Sequence, residues 1–182
     1  MSIRESYSPG PANVAHVEKD GETWTLVLVR EFRHSPARVW EALTDPEQLR
    51  QWSPFESDGN MGTTGAKVKI TTVGAPAEYA VTTTIAKAEA PKTLQYKFGD
   101  FDTRWELEPN GEGTRLTLWT TIDRRYIAMG AAGWQIAFDV MESVLDGDPI
   151  GRITGPDAMK FEGWQRLHKE YAKQFHVETP TW

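Results

Sequence analysis

The side chains best suited to chemistry at neutral pH are four histidines, His16, His34, His168 and His176. Two lie in or near the termini, and none stands in HExxH or another metal-ligand spacing. His34 and His168 read as surface residues. Asp146-x-Asp148-x-x-Gly151, with Asp157 eleven residues after Asp146, echoes a calcium loop. Its fifth position is Ile150, which offers no side-chain ligand, and Asp157 stands where a bidentate Glu belongs. A helix cap and an interhelical turn explain the same residues. Gly59-x-x-Gly62-x-x-Gly65 lacks the spacing and the Lys-Ser/Thr ending of a phosphate cradle, and reads as a loop. There is no Gly-x-Ser-x-Gly elbow. Asp100, Asp102, Glu106, Asp123 and Asp139 are the carboxylates open to acid–base work, but charged residues on strand and helix surfaces are as a rule solvated. Asp139 projects about 100° away from Phe138 around its helix. No catalytic residue, metal or cofactor is expected.

The 182 residues include no cysteine, which excludes disulfide frameworks, thiolate zinc sites, iron–sulfur clusters and cysteine nucleophiles. A formal net charge of −6 argues against a duplex nucleic-acid partner and against an anionic membrane surface. No apolar run approaches the ~20 residues that span a bilayer, and the first residues carry no apolar signal core, so a cytoplasmic location is expected without membrane insertion. The unusual feature is eight tryptophans: Trp24, Trp40, Trp52, Trp105, Trp119, Trp134, Trp164 and Trp182. They suit a large core or the wall of an apolar pocket.

The elements that must position these residues follow from periodicity. Residues 1–21, broken by Pro9, Gly10 and Pro11, read as a flexible N-terminal arm. Residues 22–33 read as a strand with Trp24, Leu26, Leu28, Arg30 and Phe32 on one face. An inward Arg30 needs a charged partner or serves as an anion handle, unless the strand end is open to solvent. Ser35-Pro36 and Asp45-Pro46 each start a short helix, and Pro54 ends the second. After a loop at 56–65, strands are expected at 66–73, 77–89, 92–99, 101–109 and 113–122, close enough for an antiparallel meander. Trp134, Phe138, Met141 and Leu145 mark a helix from 133 to 145. A last helix from 157 to 175 carries Trp164, Leu167, Tyr171 and Phe175 on one face, to be buried on its own domain or in a dimer. The expected fold is α+β: a curved antiparallel sheet around a long helix, with room for a cavity between them.

The segment VREFRHSPARVWEALTDPEQLRQW (29–52) resembles the activator-of-Hsp90-ATPase-like branch of the START/Bet v 1-like (SRPBCC) superfamily. The resemblance rests on Phe32, Pro36, Val39-Trp40, Ala42-Leu43-Thr44-Asp45-Pro46 and Trp52, on the segments 86–98 and 105–118, and on Gly133-Trp134. It implies a helix-grip domain over 22–145, with 146–182 as a helical extension packed on it.

The resemblance also implies an internal cavity. Its candidate lining residues are Arg30, Trp52, Phe55, Tyr79, Tyr96, Phe98, Trp105, Trp134, Phe138 and Met141. Trp40 matches a position that pins the short helices to the sheet. The expected function is non-catalytic binding of a small hydrophobic or amphipathic molecule, with a monomer or a homodimer as the working form. One alternative is a protein-interaction module that regulates a chaperone ATPase, for which Val27, Val29 and Trp119 on the outer sheet face are the only hints. A second is a cyclase- or hydrolase-type enzyme, which needs an acid or base with a shifted pKa inside the cavity.

Overall fold

A computed structural model of the protein describes residues 3–12 and 15–179. Trp182 and parts of the expected arm (1–2 and 13–14) lie outside the described residues. In chain order the elements are α1 (Ile3–Ser6), β1 (Ala15–Asp20), β2 (Thr23–Phe32), α2 (Pro36–Thr44), α3 (Pro46–Trp52), β3 (Phe55–Ser57), β4 (Lys67–Thr72), β5 (Val81–Thr84), β6 (Lys87–Glu89), β7 (Thr93–Phe98), β8 (Phe101–Asn110), β9 (Gly113–Thr121), α4 (Ile127–Leu145), α5 (Gly155–Met159) and α6 (Glu162–Phe175). Six antiparallel strands form one sheet in the order β1-β2-β9-β8-β7-β6, and β3-β4-β5 form a second. This is the α+β helix-grip architecture the sequence implied.

Strand alternation builds the floor of the core. One cross-strand row runs Leu94–Trp105–Leu118–Leu28–Ala15, and every member is buried. The helix α4, about 28 Å long, lies over this inner face. It begins at Ile127, a turn and a half before the expected start. Its first turns bury Ala128, Ala131 and Ala132, small residues that leave no large apolar periodicity to read. The caps of the short helices are as the sequence dictates. Ser35 accepts from the Arg38 amide, and Asp45 from the Glu47 amide, each with proline at the start of the helix.

Two expected elements are broken. The strand expected at 77–89 is a 3-10 turn at Ala77–Tyr79 followed by β5 and β6. Between them the Ile85 amide donates to Ala66 O and the Ala86 amide to Gln95 O, so the chain changes partners from one sheet to the other. The single helix expected at 157–175 is interrupted at Lys160–Phe161 and becomes α5 and α6.

The arm read at 1–21 contains structure that alternation does not reveal. Ala15–Asp20 is an edge strand paired with β2; its polar sequence, AHVEKD, alternates poorly because an edge is wetted. Residues 7–12 cross α4 and α6. Tyr7 stacks on Phe161, Gln135 donates to the carbonyls of Gly10 and Pro11, Arg166 donates to those of Pro9 and Gly10, and the Ala12 amide donates to Glu170.

Candidate functional site: an apolar cleft beside Trp134

Five aromatic residues, Phe32, Trp52, Trp105, Trp134 and Phe138, meet between the sheet and α4. Trp134 lies 5.5 Å from Trp105, 5.8 Å from Phe138 and 6.5 Å from Trp52, ring centre to ring centre. Phe32 meets Phe138 edge-on. The indole of Trp52 donates to Ala42 O at 2.9 Å, and that of Trp105 to the Tyr96 hydroxyl at 3.2 Å. Phe55 joins Tyr96 and Phe98 in a second group. Trp52, Trp105, Phe138 and Met141 are buried against protein, and Trp40 closes the core beneath the short helices. Burial raises the Tyr96 phenol pKa, and the Trp105 hydrogen bond opposes it only in part.

The interior therefore narrows to a cleft of about 390 Å³ where the half-buried Trp134 reaches the surface. Met129, Gly130, Gly133 and Trp134 of α4 form one wall. The end of β4 and its turn, Thr72–Ala75, form another, together with Pro54. The C-terminal segment supplies the third through Thr154, Pro156, Ala158, Met159 and Trp164. No ionisable residue lines it, and its side-chain polar atoms are limited to two threonine hydroxyls and the indole nitrogens.

Glycines explain how two irregular segments close one end of the cleft. Gly74 has φ +84°, and a Cβ there would sit 2.9 Å from Pro156 Cδ. Gly155 has φ +62°, and a Cβ there would lie 3.0 Å from Val73 O. Only glycine allows this conformation and approach together. Arg152 holds the incoming loop, binding Glu56 at 2.8 Å and donating to Leu49 O at 3.0 Å.

Arg30 points inward, as its strand face requires, but is already paired. It lies 2.7 Å from Asp139 and 2.8 Å from Glu142 on the C-terminal half of α4. Burial opposes its charge, but the two carboxylates outweigh burial and raise its pKa. The Tyr7 hydroxyl donates to the same Asp139. Burial, then the Asp139 charge, raises the Tyr7 pKa above its ordinary value. Asp139 is thus a partnered, largely buried group and not the solvated carboxylate expected. Arg30 is committed to carboxylates and lines neither the cleft nor the depression described next.

That depression, of about 810 Å³, lies on the outer sheet face and mixes apolar surface with polar side chains, Gln95, Lys97, Asp102 and threonines of β5, β8 and β9 among them. The Arg104 guanidinium covers the Trp119 ring at 4.0 Å. Tyr96 also reaches its lining. Tyr79 stands apart: it is 68% exposed on the 3-10 turn and lines neither hollow, because the turn interrupts the strand alternation that would have aimed it inward.

Several charged candidates have local partners. Asp102 lies 3.6 Å from Lys97, and Glu106 3.6 Å from Arg104. Asp123, held by the Arg125 guanidinium and amide, has its pKa pulled down to about 2. Asp146 is engaged by His34 at 2.6 Å and by Arg33. His168 is not the surface residue expected: α6 buries it to 6% exposure, its ring tilted against that of Trp164 at 4.8 Å, and burial lowers its pKa. Its neighbours Leu167 and Tyr171 carry the inward stripe, and His168 shares its edge.

Of the ten residues proposed to line a cavity, Trp134 alone borders the apolar cleft. Sequence reasoning missed Met129, Gly130, Gly133, Thr154 and Met159. Two glycines within a helix were the signal that could have marked the wall.

The family described as Activator of Hsp90 ATPase homolog 1-like protein matches residues 33–146, more than half of the chain. No curated protein matches. Solved structures with the same fold include EF2215, a conserved protein of unknown function from Enterococcus faecalis (TM-score 0.65, 17% identity, 88% of this chain and 89% of that one). CalU16 from Micromonospora echinospora is similar over 94% of this chain and all of its own length, with TM-score 0.62 and 20% identity. A protein from Arthrobacter aurescens is 25% identical, with TM-score 0.59 over 74% of this chain and 93% of that one. The helix-grip sheet, the capped helix pair after β2 and the family match agree: the chain belongs to the Activator of Hsp90 ATPase homolog 1-like family of the Bet v 1-like superfamily.

Proposed function

We propose that the protein binds a small, uncharged, apolar molecule in the cleft beside Trp134. The observation that carries this reading is the lining: two tryptophans, two methionines and no ionisable residue around about 390 Å³. A volume of this size suits a small-molecule ligand, and apolar burial at ~25 cal/mol per Å² supplies the drive. A charged ligand group entering here would lose its hydration and find no counter-charge. No carboxylate or histidine lines the cleft, so acid–base catalysis there finds no support.

The family's description points to a chaperone ATPase as a second reading. The outer sheet face offers it little apolar surface. Val27 is 1% exposed, and Trp119 is half-buried beneath Arg104.

Two probes that differ by one sulfonate test the binding reading. N-phenyl-1-naphthylamine should bind, quench tryptophan fluorescence and raise Tm. 8-Anilinonaphthalene-1-sulfonate should bind at least about 10-fold more weakly. Met159→Lys should abolish binding of the neutral probe while leaving the far-ultraviolet circular dichroism unchanged. Equal affinity for both probes, or binding indifferent to Met159→Lys, overturns the reading.

A further inference from the structure

Four glycines lie within the described helices, and three have a visible reason to be there. A Cβ at Gly130 would meet Ile122 Cδ1 at 2.8 Å, and one at Gly163 would meet Pro9 Cδ at 2.5 Å. Gly155 has the positive φ described above. Gly133 differs. It sits in the seventh position of a 19-residue helix, and a Cβ built on it has nothing within 4 Å. Glycine in a helix interior is among the least favourable residues, and alanine would be accommodated without a clash. Neither packing nor backbone conformation accounts for the glycine.

The open space beside Gly133 is the cleft, which Gly133 lines together with Gly130 and Trp134. At Gly133 the helix presents bare backbone to this space, whereas one turn earlier the Ile122 side chain covers Gly130. We propose that Gly133 determines the specificity of the cleft: it keeps this wall low so that a rigid, uncharged aromatic ring system lies flat against α4, beside Trp134 and the Met129 and Met159 thioethers. Aromatic rings stack offset or edge-on with indoles, and thioether sulfur packs favourably at ring edges. A flat ring gains most from a wall without side chains; a flexible chain bends around a methyl group. This inference rests on the binding reading above and adds to it the shape of the ligand and the residue that selects it.

The test pairs Gly133→Ala with two neutral probes, rigid 1-aminoanthracene and flexible dodecan-1-ol. Alanine should raise the Tm of the ligand-free protein by about 2–4 °C, because it removes a helix-interior glycine from open space. It should weaken 1-aminoanthracene about 10-fold, through overpacking against an inflexible ring. Dodecan-1-ol affinity should change less than about 2-fold. Gly133→Leu should abolish binding of the ring and retain the helix. A fall in Tm for Gly133→Ala shows that the glycine is needed by the fold, and overturns the inference. Unchanged 1-aminoanthracene affinity, with the ring still quenching tryptophan in both proteins, overturns it and leaves the cleft standing as a binding site. If neither probe binds the unaltered protein, the binding reading fails, and this inference with it.

Discussion

The Arg30 guanidinium lies 2.7 Å from the Asp139 carboxylate, joining β2 to α4 inside the grip. Both side chains are 18% exposed, and Glu142 and Tyr7 complete the cluster. Arg30 is the one cation of the cluster and pairs with both of its carboxylates. Arg30→Met leaves two carboxylates facing each other in a largely dry site. The expected loss is about 3 kcal/mol of unfolding free energy, measured by urea denaturation. Asp139→Asn keeps the Glu142 pair and should lose less. Equal stability of Arg30→Met and the unaltered protein would show that the cluster is solvated in solution.

Two phenols, one in this cluster and one beside Trp105, set a limit at alkaline pH. Tyr7 and Tyr96 have folded-state pKa values above the ordinary 10.0, chiefly through burial. Above pH 10 the unfolded chain releases these phenolic protons and the folded chain keeps them. Stability is therefore fully present below pH 10 and falls as pH rises beyond it. The slope approaches about 1.4 kcal/mol per pH unit for each phenol. Tyr7→Phe should reduce that slope in urea titrations between pH 10 and 11.5. A slope unaffected by the substitution would mean that Tyr7 ionises as readily folded as unfolded.

His168 acts at the other end of the scale. Burial holds its folded pKa below the ordinary 6.5, so the folded state keeps a neutral ring where the unfolded state takes up a proton. Its contribution is present above pH 6.5 and is lost as pH falls below that value. Nε2 has no hydrogen-bond partner among the described residues, so an apolar ring of similar size forfeits nothing there. His168→Phe should flatten the decline of Tm between pH 6.5 and 5 and leave Tm at pH 7.5 unchanged or higher. A decline as steep in the variant as in the unaltered protein would assign the acid sensitivity elsewhere.

What the sequence revealed, and what it hid, follows from the range of the interactions. Ser35-Pro36 and Asp45-Pro46 predict their helices because a cap is made within three residues. The inward face of β2 is legible because alternation is local. The partners of Arg30 lie more than 100 residues away, and no local pattern announces them. Tyr79 faces solvent because the chain makes a 3-10 turn at Ala77–Tyr79 before β5 begins, and a strand-like composition does not show where the strand starts. Tryptophan spacing located the core and said nothing about whether the rings meet one another or a ligand. The cleft owes its shape to residues with little or no side chain, which hydrophobic periodicity does not register.

The closed end of the cleft yields the final prediction. Gly74→Ala imposes two penalties, a positive φ on a residue with Cβ and a contact at 2.9 Å with Pro156. Gly111 provides the control, because its φ is +60° and a Cβ there meets nothing within 4 Å. Gly111→Ala should report backbone strain alone, about 1 kcal/mol or 2–4 °C in Tm. Gly74→Ala should lower Tm further, since the Pro156 ring is short and fixed in the first turn of α5. It should also weaken N-phenyl-1-naphthylamine binding, because α5 carries Ala158 and Met159 into the cleft wall. Gly111→Ala should leave that binding unchanged, its turn lying outside the cleft. Equal losses of Tm with equal binding would mean that the Gly74–Pro156 contact does not hold the wall, and that α5 keeps its place through Ala158 and the Arg152 anchor.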